Sequence, residues 1–210
     1  VGDVRDYRRL NFALNGVDIV IHAAAMKHVP ISERNPFECV HTNIIGAENV
    51  VRASIENKVD KIVVISTDKA SAPVNLYGAT KLASDKIFIA ANNIIGKNKS
   101  KFSVVRYGNV LFSRGSVIPF FRNIILSGEN TLPVTDERMT RFVITIEQGI
   151  DFVVKSLNLM VGGEIFIPKL KSTSIIDIVN AMGKGLKTKI VGLREGEKIH
   201  ESLISSDDAI

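Results

Sequence analysis

The sequence predicts an α/β fold: a doubly wound parallel sheet, incomplete at its N-terminal side, followed by a smaller α/β lobe. Three observations carry this. Three apolar, β-branched runs, residues 17–25 (VDIVIHAAA), 59–66 (VDKIVVIS) and 101–110 (KFSVVRYGNV), read as strands covered on both faces. Between them lie segments 35–58 and 74–93, whose apolar residues recur at three and four, as along one face of a helix. Beyond Val110 the alternation gives way to shorter, mixed elements. Strand–helix–strand repeats of this kind close as right-handed crossovers between parallel neighbours.

Taken in order, the opening GDVRD (2–6) has the look of a strand end and its turn, and HAAA (22–25) closes the first long strand with small residues. After the third strand a helix is expected near Ser116, then short strands around LPVT (132–135) and GEIFIPK (163–169). Helices follow at 146–157 and 174–182, the second with Thr173 or Ser174 as its N-cap. A strand TKIVGL (188–193) and a charged helix GEKIHESLI (196–204) complete the chain. The expected division is residues 1–115 and residues 116–210, with elements of the second part returning to the first.

Bulk composition narrows the function. The chain of 210 residues is 45% hydrophobic and 23% charged, with a net charge of +5 spread without a basic, aromatic-interleaved stripe. That argues against nucleic-acid binding. No apolar run approaches the ~20 residues needed to cross a bilayer, and no signal-peptide pattern is present, so neither a membrane nor export is expected. The single cysteine, Cys39, rules out an internal disulfide and reads as a buried thiol in a reducing compartment. The four histidines (His22, His28, His41, His200) are scattered, so no metal is expected.

Chemistry concentrates in STDKASAPVNLYGATK (66–81). Tyr77 and Lys81, four apart in a helical segment, share one face. A phenol of ordinary pKa ~10 beside an ammonium can take a proton from a hydroxyl. Thr67 closes an apolar strand at the carboxyl edge, where parallel sheets form their ligand crevices. Asp68 and Lys69, an acid beside a base, follow at that edge.

These residues closely resemble the extended short-chain dehydrogenase/reductases, specifically their sugar-nucleotide dehydratases, which share a Rossmann-like sheet. HAAAMKHVPISERNP, VVRYGNVLFSRGSVIPFF, MTRFVIT, GGEIFIPK and LREGEKIHE extend the resemblance over essentially the whole chain. Retaining dehydratases end the strand in Thr-Asp-Glu. Here it ends in Thr67-Asp68-Lys69, which resembles the inverting UDP-N-acetylglucosamine 4,6-dehydratases that open the pseudaminic acid pathway. Members of this fold begin with a Gly-rich phosphate turn, and none is present in this sequence. The expectation is a fragment lacking roughly two βα units, on the order of sixty residues.

The resemblance implies roles. Tyr77 would take the O4 proton as C4 is oxidised, with Lys81 lowering the tyrosine pKa and holding the cofactor ribose. Lys69 would remove the C5 proton and Asp68 would protonate the departing 6-hydroxyl. Lys27 would lower the pKa of Lys69 from nearby. Asp3, Val4, Ala23 and Ala24 would line the NADP site, with Asn43 holding the active-site backbone. Lys27, Asn109, Val117, Thr135, Arg194 and Glu197 would contact the UDP-sugar, the last two through ribose and diphosphate. A cytoplasmic homo-oligomer whose product feeds an aminotransferase is implied as well. A retaining dehydratase, a 4-epimerase and a non-catalytic dinucleotide sensor stay open as alternatives.

Overall fold

The computed structural model describes residues 1–97, 99–205 and 208. The first half runs α1 (Tyr7–Ala13), β1 (Ile19–His22), α2 (Val29–Arg34), α3 (Pro36–Val40), a π-turn (His41–Ile45), α4 (Gly46–Glu56), β2 (Lys61–Thr67), a 3₁₀ turn (Asp68–Ala70), α5 (Leu76–Ala91) and β3 (Lys101–Tyr107). The second half runs β4 (Asn109–Val110), α6 (Val117–Leu126), β5 (Thr131–Val134), β6 (Thr140–Ile144), α7 (Ile146–Leu159), β7 (Ile165–Phe166), β8 (Ser172–Ser174), α8 (Ile175–Met182) and β9 (Lys187–Ile190). The main sheet has the order β1-β2-β3-β7, all parallel. Among the described residues no helix is long and apolar enough to cross a membrane.

The two-residue period of β2 and β3 sorts their side chains onto two cores. Ile62, Val64, Phe102 and Val104 meet Val50, Val51 and Phe88 of α4 and α5 on one face. Val63 and Val105 meet Val153 and Leu157 of α7 on the other. A third cluster, built from Phe121, Leu132, Val134 and Ile178, lies under α6 and α8. Helices α4 and α5 thus cover one side of the sheet, while α7 comes back from the second half of the chain to cover the other and β7 extends the sheet beside β3.

Several expectations need correction. The first strand is not covered on both faces: Ile19 and Ile21, which share one face, are 52% and 50% exposed and join none of the core clusters among the described residues, while Val20 and His22 on the other face pack inward. The run 101–110 is two strands, since β4 leaves the main sheet to pair with β6. Gly108 makes the switch possible; a Cβ there would lie 2.4 Å from the Phe142 carbonyl oxygen. Segment 35–58 is a helix interrupted by the π-turn, and residues 2–6 form a turn without a strand, followed by the unforeseen α1 capped by Asp6. Helix 174–182 begins as expected, with Ser174 accepting from the Asp177 amide at 3.0 Å.

The expected helix 196–204 does not form. Its carbonyls are occupied by distant partners: Gly196 by Asn75, Lys198 and Ile199 by the Arg141 guanidinium, and Leu203 by Arg106. A helix needs those carbonyls for its own amides. Tertiary partners outcompete the local pattern, and the segment lies as a strap of turns and bends.

Burial has a consequence for acid stability. His22, stacked on Phe88 with ring centroids 5.6 Å apart, is pushed down to about 3, first by burial and then by the nearby Lys81 charge. Unfolded histidine titrates near ~6.5, so between that value and about 3 the unfolded chain binds the extra proton. Stability from this site is complete above the unfolded value and is lost as pH falls. Denaturant midpoints at pH 7 and pH 5 should fall further apart in the wild type than in His22→Phe; equal spacing would contradict the assignment.

Candidate active site

Thr67 ends β2 in register with Tyr107 at the end of β3. It also starts the 3₁₀ turn: its Oγ1 accepts from the Lys69 amide at 3.3 Å and donates to Asp68 Oδ1 at 3.1 Å. Asp68 is fully buried, and the same Oδ1 accepts from Lys69 Nζ at 3.1 Å. Asp68 Oδ2 is enclosed without a hydrogen-bond partner among the described residues. Buried carboxylate oxygens are normally satisfied, so this atom suits a proton or a ligand group. Lys69 Nζ meets a second carboxylate, Glu201 Oε1, at 3.2 Å.

Helix α5 carries Tyr77 in its first turn, and its start is fastened from three directions. Asn75 caps it, accepting from the Gly78 amide at 2.8 Å while its own amide donates to the Gly196 carbonyl at 2.7 Å. Glu33 of α2 accepts from the Leu76 amide at 2.7 Å. Gly78 rests against the turn, where a Cβ would come 2.3 Å from the Lys69 carbonyl oxygen. Only a glycine lets the tyrosine helix sit this close to the acid–base turn.

Tyr77 is buried, and burial pushes its phenol well above the ordinary value; the Thr67 hydroxyl bonded to it opposes the shift, while Asp68, Asp85 and Cys39 add to it. Lys81 Nζ donates to the Ile65 carbonyl at 2.8 Å, its own pKa is lowered by burial, and its charge partner is Asp85. Partial burial lowers the pKa of Lys27, and the groups paired with Lys69 are the two carboxylates.

Asp85 binds Arg106 Nη2 at 3.0 Å with both side chains fully buried, and Ser66 Oγ donates to the same Oδ2 at 2.9 Å. Burial raises the Asp85 pKa, with Lys81, Ser66 and Arg106 opposing.

The residues expected at the cofactor are gathered. Asp3, Val4, Ala23 and Ala24 line one open cleft of about 710 Å³ with Ala25 and Met26. Small side chains at the carboxyl end of β1 leave backbone exposed to the cleft, which fits a dinucleotide. Asn43 clasps this edge: it accepts from the Met26 amide at 2.8 Å, and its own amide donates to the Met26 carbonyl at 3.1 Å and to Thr80 of α5 at 3.0 Å. Cys39, buried as expected, lies 3.4 Å from the same Thr80.

The residues expected at the sugar nucleotide are more dispersed. Asn109 stands two positions beyond Tyr107, in β4. Val117 opens α6 against the third cluster, and Thr135, buried, follows β5. Arg194 pairs with Glu197 at 2.9 Å on the strap, beside Gly196. Sequence reasoning overlooked Glu201, Asp85, Arg106 and Asn75. For Asn75 a signal existed, a cap residue directly before an apolar helical run.

Comparison with known proteins follows the same outline. Residues 1–210 match the family described as Polysaccharide biosynthesis protein. UDP-N-acetylglucosamine 4,6-dehydratase (inverting) of Campylobacter jejuni is 59% identical over 209 residues, covering 100% of this chain and 63% of that protein. The chain therefore spans less than two thirds of that relative. UDP-glucose 4-epimerase of Rickettsia canadensis is 43% identical, with 99% and 62% covered. The solved structure of Pen from Bacillus thuringiensis is 41% identical and superposes with a TM-score of 0.93 over 99% of this chain and 67% of its own.

The packing of Gly78 yields a direct test. Gly78→Ala should destabilise the protein by about 1–3 kcal/mol in urea unfolding, the usual cost of overpacking. A stability change below about 0.5 kcal/mol would mean that the contact yields easily.

Proposed function

The chain belongs to the polysaccharide biosynthesis protein family, and on that premise we propose that the protein is a nucleotide-sugar dehydratase. Its substrate on this reading is UDP-N-acetylglucosamine, converted with inversion at C5 to the 4-keto-6-deoxy L-arabino sugar nucleotide. The observation that carries the proposal is the pairing of buried Asp68 with partly exposed Lys69, 3.1 Å apart, on the turn that abuts Tyr77. Oxidation and reduction alone need no such pair. Water elimination needs both an acid and a base.

The pair holds one proton to be shared. Passing it from Lys69 Nζ to Asp68 turns an ion pair into an amine and a carboxylic acid, the base and acid that the elimination requires. Lys69 takes the C5 proton, the C6–O6 bond breaks, and Asp68 gives its proton to the leaving oxygen. Both groups then return to the ion pair, so the elimination itself closes without a proton from solvent. C5 must afterwards take up a proton, and delivery of one from solvent on the face opposite Lys69 gives the inverted product. Proton removal at C5 becomes feasible once C4 is a ketone. A nicotinamide dinucleotide, NADP on this reading, supplies hydride acceptance from C4 and its return to C6. Asp3, Val4, Ala23 and Ala24 would hold it, with Lys81 toward its ribose. Tyr77 and Thr67 stand together to pass the O4 proton, which requires the buried phenol to ionise first.

Lys27, Asn109, Val117, Thr135, Arg194 and Glu197 are assigned to the UDP-sugar, with Arg194 offering a planar fork to phosphate. Residues 1–115 then form the cofactor part and residues 116–210 mostly the sugar-nucleotide part. A cytoplasmic homo-oligomer fits this assignment. Its keto product is the kind of carbonyl that an aminotransferase consumes, as in pseudaminic acid formation.

A second reading is 4-epimerisation, favoured by the name of the Rickettsia canadensis relative. That reaction uses Tyr77 and Lys81 and leaves the acid–base pair without a task. The full-length protein incubated with UDP-N-acetylglucosamine in deuterated water decides between them. The expected product is lighter by one water and carries deuterium at C5. A product that keeps its 6-hydroxyl would establish the epimerase, and a D-xylo product by NMR would establish retention. Lys69→Ala should abolish water loss by at least about a hundredfold, the scale of general-base catalysis. Tyr77→Phe should already stop oxidation at C4.

A further inference from the structure

Lys69 is held from two sides. Asp68 Oδ1 lies 3.1 Å from its Nζ and Glu201 Oε1 lies 3.2 Å away. The Glu201 side chain is 4% exposed, and its Oε2 lies 3.5 Å from Lys198 Nζ, which also donates to the Ser71 carbonyl at 2.8 Å. Two ammonium groups thus balance two enclosed carboxylates, as burial of charge requires. Asp68 is the chain neighbour of Lys69 and by itself would draw the amine back along its own turn. Glu201 comes from 132 positions away in sequence and pulls from the other side.

The strap that carries Glu201 is fixed along its length. The Thr140 amide and the Arg141 guanidinium both donate to the Ile199 carbonyl at 3.0 Å, and Thr140 Oγ1 lies 2.8 Å from His200 Nδ1. Arg194 and Glu197 lie on the same strap, and the Gly196 carbonyl is bound to the cap of the tyrosine helix.

We propose that Glu201 is a positioning residue for the elimination: its carboxylate centres Lys69 Nζ against Asp68, so that their shared proton crosses between them and the amine returns to the same place after each turnover. This rests on the dehydratase reading. The groups facing the Lys69 ammonium are Asp68 from the turn and Glu201 from the strap, with Lys198 behind Glu201 and Tyr77 behind Thr67. The reactive form carries one proton on the pair, so the kcat profile is a bell: the acid limb marks gain of a second proton and the alkaline limb marks loss of the first. Removing one neighbouring negative charge makes both protons easier to lose.

The test is Glu201→Gln in the full-length protein, with kcat and KM for UDP-N-acetylglucosamine measured across pH. Both limbs should move to lower pH by about one unit. The optimum kcat should fall about tenfold with KM changed less than about twofold, the pattern of a lost transition-state interaction. Glu201→Asp, which keeps the charge, should restore the limbs. Unmoved limbs in a folded Glu201→Gln variant overturn the proposal while leaving the dehydratase reading intact. A wild type that removes no water overturns that reading itself. If Glu201→Gln does not fold, Lys198→Met supplies the opposite test: losing a cation behind Glu201 should raise both limbs, and unchanged limbs again overturn the proposal.

Discussion

The arrangement depends on one buried ion pair. Asp85 and Arg106, 3.0 Å apart and wholly shielded from solvent, tie helix α5 to strand β3. Ser66 of β2 joins the same carboxylate, and Arg106 reaches on to the Leu203 carbonyl and to Asp208 at 2.8 Å. Removing one partner of such a pair leaves an uncompensated charge and costs about 3–5 kcal/mol. Substituting both by apolar residues can be neutral, so the pair is better understood as a register pin than as a source of stability. It sets where Lys81 and Tyr77 stand relative to the carboxyl ends of β2 and β3.

From that pin the site follows by close approach. Gly78 lets the start of α5 rest on the Lys69 carbonyl, and Gly108 lets β4 turn away onto Phe142. Asn43 fastens the loop after β1 to α5 through Met26 and Thr80. The strap fastens the same helix from the opposite end of the chain through Gly196. The turn itself is contacted by α5 through Gly78 and by the strap through Glu201 and Lys198, while the loop after β1 braces α5 from behind.

Much of this was legible in the sequence. Long apolar runs and 3.6-period segments located β2, β3 and α5, because a strand or helix buried in a sheet leaves a strong periodic mark. The chemistry-bearing stretch 66–81 showed its pattern openly, since its members are near neighbours. What escaped depended on distant partners. The strap carries a helical pattern, yet its carbonyls bind Asn75, Arg141 and Arg106, and nothing local announces that. Glu201 and Asp85 look like ordinary surface acids until the fold encloses them. The exposure of Ile19 and Ile21 likewise follows from what packs over that face of β1 rather than from its composition. The burial that raises the Tyr77 phenol and the bond from Lys81 to the Ile65 carbonyl were likewise beyond what an i, i+4 spacing announces.

The central claim is that the Asp68–Lys69 pair stands over C5 and O6 of a sugar bound beside Tyr77. A crystal structure of the full-length protein with its dinucleotide and UDP-N-acetylglucosamine would test it most directly. Lys69 Nζ is expected within about 3.5 Å of C5, and Asp68 within hydrogen-bonding reach of O6, as a reactive geometry requires. A sugar ring seated against Tyr77 with Lys69 still locked between its two carboxylates, facing away from C5, would contradict it.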